Sequence, residues 1–214
     1  NEIEFSKNFV LPLSEGKWEA IDRYAWSYVF LFFKGNAIAR IENNELMELI
    51  WVEKANLSGT NMGEIDSAVN TIIFKDPYDG CYQRPEYYLL ERYKRGAAFN
   101  CFKIRHYDVQ KNLYASDDPF ARNWSNIIRK WLRDNGYEFP KLMLVSSHLF
   151  YAPSVGGSLY GIDIVINPET HGAPKNKFTT EETSEYHRAN INNYPKKKKF
   201  MEIFLSQQAY YHQE

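Results

Sequence analysis

Between residues 28 and 53 the chain reads YVFLFFKGNAIARIENNELMELIWVE, three apolar runs parted by Lys-Gly-Asn and by Asn-Asn. No other stretch limits the fold so strongly. Short runs rich in aromatic and β-branched residues between turn formers point to strands rather than helices, and the spacing predicts a three-stranded meander.

Other elements follow from local spacing. Upstream, Trp18, Ile21 and Ala25 recur at a helical interval. Downstream, residues 62–74 suit a short helix and KDPYDG suits a turn. Pro85 and Gly96 bracket PEYYLLERYKRG as a helix, because proline fits a first helical turn and glycine a C-terminus. AFNCFKIRHYDV alternates like a strand. Residues 117–134 form the clearest helix, with Phe120, Trp124, Ile127, Ile128, Trp131 and Leu132 on one stripe and Gly136 and Pro140 stopping it. KLMLVSSHLFY and LYGIDIVIN follow as two strands joined by a Gly-containing loop, and Thr179 with Glu182 makes a capping box for a polar helix to about residue 191. A last helix begins near residue 197.

Strands and helices without regular alternation predict an α+β fold, one domain over residues 1–214, with a mixed or mainly antiparallel sheet flanked by helices. A chain of 214 residues with 44% hydrophobic and 16% aromatic content is long and apolar enough to bury its own core. Residues 1–83 hold 7 Lys/Arg against 13 Asp/Glu, a net of −6, and the remaining 19 against 14 give +5. The strand-rich first part is thus acidic and residues 84–214 are basic, which predicts different surfaces. Cys81 and Cys101 are too few for a disulfide framework and are read as ordinary thiols, with a single disulfide as the alternative. The longest apolar stretch, AWSYVFLFF, falls short of the ~20 residues a membrane helix needs, so a soluble, cytoplasmic protein without a membrane partner is expected. The chain opens on Asn1 rather than Met, which points to a piece removed upstream.

Chemistry centres on LYGIDIVINPETHG, where Asp163 interrupts an apolar run. A carboxylate there is either paired or exposed, since burying it alone is prohibitive. With His148 on the neighbouring strand, and Glu169 and His171 just past the strand end, Asp163 could act as one of an acid and base pair, or hold a divalent cation if Asp163 and Glu169 converge. Strand register decides whether His148 shares its face. Ser146 and Ser147 precede His148 directly, yet strand neighbours point to opposite faces, and Ser158 lacks the Gly-x-Ser-x-Gly elbow. The Val-Gly-Gly-Ser loop has neither P-loop nor Rossmann spacing.

Basic features outnumber catalytic ones. Arg122, Arg129 and Arg133 share one ridge of the 117–134 helix, and Lys196, Lys197, Lys198 and Lys199 follow Tyr194. Arginine grips phosphate and tyrosine offers a stacking face, the pairing that nucleic acid asks for. The sequence therefore predicts a DNA- or RNA-binding protein using its basic C-terminal part, with phosphodiester chemistry at Asp163. The alternatives are an interaction module whose acidic N-terminal region docks on a protein partner, and a small-molecule hydrolase using His148 and Asp163.

Overall fold

The computed structural model describes residues 2–6, 9–28, 31–56, 81, 87–95, 98–109, 119–138, 140–152, 158–177, 180 and 182–213. A small hairpin, β1 (Glu2–Ser6) and β2 (Phe9–Pro12), precedes the meander β3 (Trp18–Tyr28), β4 (Leu31–Glu42) and β5 (Glu45–Asn56). Then come β6 (Tyr87–Arg95), β7 (Ala98–Asp108), helix α1 (Pro119–Asn135), β8 (Leu142–Ala152), β9 (Ser158–Ile166) and helix α2 (Pro195–Gln213). Seven strands form one sheet in the order β3-β4-β5-β9-β8-β7-β6, every neighbour antiparallel. The β8–β9 hairpin thus joins the meander to the β6–β7 pair. The architecture is α+β with an antiparallel sheet, and the one described parallel contact is the isolated Glu45–Glu138 bridge.

Turn chemistry accounts for the meander in part. Asn43 and Asn44 both adopt positive φ, 52° and 65°, and turn β4 into β5, a conformation asparagine tolerates. Lys34-Gly35-Asn36, read as a second turn, instead runs straight through β4. The stretch from Trp18 to Ala25, read as helical, belongs to strand β3. Its pairing with β4 skips Ile21 between Ala20 and Asp22, a bulge that converts strand alternation into the three-residue interval from Trp18 to Ile21. PEYYLLERYKRG is likewise a strand, β6, with its own register shift between Leu89 and Glu91.

The capping-box helix is absent too: residues 182–190 are turns and bends. The hydroxyls of Thr180 and Thr183 bond each other and nearby backbone, an arrangement that competes with helix formation. Residues 61–80 and 153–157, and with them the short helix, the KDPYDG turn and the Gly-containing loop, lie outside the described residues, as does Thr179.

Strand alternation gives the sheet two unlike faces. On one, Phe102, Ile104, Leu144 and Ile166 cluster with Met201 and Phe204 of α2. On the other, Leu49, Met143, Val145 and Val165 cluster with Ile128 and Leu132 of α1, with Trp131 packed alongside. The two helices therefore lie against opposite faces. Gly136, at φ 70°, ends α1 in the left-handed conformation that favours glycine. Cys81 and Cys101 are not thiols but a disulfide spanning 20 residues, both fully buried. Their closeness arises because β7 turns Cys101 toward the segment that carries Cys81, a tertiary fact that spacing cannot reveal. Among the described residues, no helix is long and apolar enough to cross a membrane.

Candidate functional site

The β8–β9 register answers whether Asp163 meets His148. Ser147 stands opposite Asp163, and His148 stands opposite Ile162. Asp163 and His148 therefore project from opposite faces, and a joint acid and base role does not form. His148 is only 3% exposed; its Nε2 lies 2.7 Å from Ser146 Oγ and 3.4 Å from Gln208, its Nδ1 3.2 Å from His212 Nδ1, and its ring stacks on Phe102. Burial, followed by the charge of His212, pushes its pKa down to about 3 against the opposing bond from Gln208. At neutral pH it is an uncharged core residue beneath α2.

Glu169 and His171 sit on a 3-10 turn, Glu169–His171, beyond β9, and both serve the fold. His171 Nε2 lies 2.7 Å from Glu48 Oε1, which also accepts from Arg40 at 2.9 Å, while Glu48 Oε2 accepts from Ser14 at 2.8 Å. Burial pushes the Glu48 carboxyl up, but the bonds from His171, Ser14 and Arg40 together hold it below the usual carboxylate range. Glu169 accepts the backbone N–H of Asn176 at 2.7 Å. The Asn167 side chain closes the turn by accepting from the Glu169 N–H and donating to Glu45. Asn-Pro-Glu-Thr-His is thus a latch between β9 and β5. Among the described residues, no group of three His, Cys, Asp or Glu gathers as a metal site.

The basic residues divide between the two sides of the sheet. Arg129 and Arg133 lie on α1, where Arg129 donates to Asn126 at 2.6 Å and exposed Arg133 stands 3.8 Å from Asp134. Arg122 is on the same helix, its side chain outside the described ones. The lysine run opens α2 on the opposite face, and it is not uniformly solvated. Lys197 is 4% exposed: it pairs with Glu185, donates to Asn176 Oδ1 and the Lys175 carbonyl, both at 3.1 Å, and lies 5.0 Å from the Tyr186 ring centre. That lysine is a structural tie. Lys196, Lys198 and Lys199 face solvent, as do Lys175 and Lys177 on the segment that Lys197 holds to the helix start, with Tyr194 38% exposed beside them.

Asp163 itself belongs to a different set. Its row across the sheet runs Lys103, Ser147, Asp163, Trp51. The next row on that face places Gly35 opposite both Tyr24 and Glu53, and Gly161 opposite Glu53. A Cβ on Gly35 would stand 2.1 Å from the Tyr24 ring, so this glycine lets the ring cross β4 and reach β5. There the Tyr24 hydroxyl donates to Glu53 Oε1 at 2.7 Å, Trp51 Nε1 donates to the same oxygen at 3.1 Å, and the two rings sit 5.1 Å apart. Burial first, then the neighbouring charges of Glu53 and Asp163, raise the Tyr24 pKa, which keeps the hydroxyl a donor.

No family model, curated protein or solved structure matches this chain. Its function is argued from geometry alone. Of the candidate catalytic residues read from the sequence, Asp163 alone stands in this row, with Ser147, considered and set aside there, opposite it. Tyr24, Trp51, Glu53 and Lys103 went unread because each is unremarkable in its own strand, and only register brings them together. The one local signal was Gly35, a glycine inside an apolar run.

Proposed function

We propose that the protein contacts nucleic acid through the basic surface at the start of α2. The observation that carries this reading is the run of exposed Lys196, Lys198 and Lys199 after half-exposed Tyr194, with buried Lys197 tying the segment that bears exposed Lys175 and Lys177 to the start of the helix. Lysines in a first helical turn oppose the helix dipole, so local stability does not favour them there. A phosphate backbone relieves that repulsion, and the tyrosine face suits an unpaired base. The α1 arginines, on the other side of the sheet, are not part of this surface.

Fluorescence anisotropy with a labelled single-stranded oligonucleotide tests the reading. Affinity is expected to fall steeply as salt rises, because bound phosphates release counterions. Reversing Lys196, Lys198 and Lys199 to Glu is expected to abolish binding, while reversing Arg129 and Arg133 leaves most of it. Absence of binding to DNA and RNA at low salt would sink the reading. The second reading, a protein partner at the acidic N-terminal region, draws on β3, an 11-residue strand at one edge of the sheet whose outer side pairs with no described strand. A disulfide persists in oxidising surroundings, which favours a location other than the reducing cytoplasm expected from the sequence.

A further inference from the structure

Helix α2 buries one stripe and leaves the opposite one bare. Lys197, Met201, Phe204, Gln208 and His212, spaced by three and four residues, are its buried positions. The opposite ridge has the same spacing: Lys199, Ile203, Ser206 and Tyr210 are all exposed, with exposed Lys196 one turn before them. An isoleucine 50% exposed and a tyrosine 61% exposed add little to the fold where they stand, and Tyr211, 44% exposed, sets a second ring beside the first. Of the six large apolar or aromatic side chains left exposed among the described residues, Tyr194, Ile203, Tyr210 and Tyr211 all lie on α2 or directly before it. Scattered groups of this kind are ordinary, but their concentration along one helix marks a binding surface.

The chemistry of the ridge changes along its length. Its first turn carries the exposed lysines 196, 198 and 199. Its last turn carries Tyr210 and Tyr211, whose ring centres are 6.1 Å apart with planes inclined by 65°, so neither ring covers the face of the other. The Tyr194 carbonyl accepts from the Lys198 N–H at 2.9 Å, which makes Tyr194 continuous with the helix. At 1.5 Å per residue, Tyr194 and Tyr210 stand about 24 Å apart along the axis. Exposed Ser206 and Gln207 interrupt the apolar positions and Glu202 flanks them, whereas a membrane surface or an apolar groove asks for a continuous apolar stripe. Cations followed by open ring faces match a chain of phosphates and bases.

We propose that an unpaired nucleic-acid strand lies along this ridge, with phosphates on the α2 lysines and bases stacked on Tyr210 and Tyr211 as well as on Tyr194. This placement rests on the lysine contact with nucleic acid proposed above; it adds the class of strand, single rather than double, and the reach of the site. A stacked strand advances about 3.4 Å per nucleotide, so the ridge spans about seven nucleotides. A duplex keeps its bases within the stack and meets the lysines alone.

Anisotropy titrations of the full chain with labelled thymidine and uridine homopolymers of about four to about twelve nucleotides, beside a duplex of the greatest length, test the placement. Affinity is expected to climb up to about seven nucleotides and then level off, and to exceed that for the duplex at least about fivefold. Replacing Tyr210 and Tyr211 together by Ala is expected to weaken single-strand binding at least about fivefold and to erase the preference over duplex, with the salt slope unchanged because no phosphate contact is lost. Replacing both by Phe keeps the rings and should retain affinity and preference alike. Circular dichroism confirms folding, and the single change Tyr210→Ala serves should the pair not fold. No binding of any strand would end the lysine reading and this one together. Binding whose length dependence and strand preference survive in the alanine pair would overturn the ridge and leave the lysines. An alanine pair that keeps oligonucleotide binding but loses binding to phosphatidylserine vesicles would overturn it too, in favour of a membrane surface.

Discussion

The two faces of the sheet seat their central polar groups at different depths. Beneath α2, His148 is enclosed by Ser146, Gln208 and His212, and nearby Lys197 is held by Glu185, Asn176 and a backbone carbonyl. Across the sheet, Asp163 and Glu53 are only half-buried, and Glu53 accepts from Tyr24 and Trp51. Charge inside a protein is tolerated when its hydrogen bonds are closed. The first face therefore uses polarity to fix α2, and the second uses it to tie β3 to β5 through Tyr24 and Glu53. A histidine or lysine is no functional marker in itself; whether its bonds are already spent decides.

The largest effect that can break this contrast comes from Lys197. Lys197→Met leaves the Glu185 carboxylate buried without its partner and is expected to cost about 3–5 kcal/mol in urea denaturation. Lys198→Met, one residue on and exposed, should change stability by no more than about 0.5 kcal/mol while weakening oligonucleotide binding. Equal costs for the two would remove the distinction between tie and surface. On the opposite side, Leu132→Ala beneath α1, at a residue 3% exposed, is expected to cost about 2–5 kcal/mol, measured the same way.

Acid should act through the α2 face. His148 has a folded pKa near 3, below its unfolded value, so the unfolded chain binds more protons between these two values. Its contribution to stability is complete above about pH 6.5 and is lost as pH falls toward 3. Denaturation midpoints at pH 7 and pH 4.5 check the sign; His148→Phe should shrink the difference between them. A smaller effect sits on the other face. Gly35→Ala displaces the Tyr24 ring from Glu53 and is expected to cost about 1–3 kcal/mol in chemical denaturation and to alter tryptophan fluorescence through Trp51.

How far the sequence foretold this molecule depended on whether local spacing matched final pairing. Helix α1 was legible because Ile128, Trp131 and Leu132 keep helical spacing and meet one apolar face. Strands β7, β8 and β9 were legible because each is an apolar-rich run between turn formers, and they pair with one another without a register shift. Strands β3 and β6 were not: each carries a register shift, and a bulge breaks the alternation that marks a strand. Asp163 does stand in a polar row of the sheet, but its neighbours along the chain do not. Glu169 and His171 are near Asp163 in sequence yet turn toward Asn176 and Glu48. The residues around Asp163 come from six strands, and no spacing along the chain encodes their register.

Cysteine accessibility on two adjacent positions of β9 tests the central contrast most directly. Asp163→Cys and Ile162→Cys differ by one residue and face opposite sides of the sheet, one half-open and one 6% exposed beneath its cover. The native cysteines are bonded to each other and stay silent. With a small methanethiosulfonate reagent under native conditions, Asp163→Cys is predicted to react readily and Ile162→Cys only after denaturant is added. Rapid labelling at 162 with protection at 163 would reverse the faces and contradict the account.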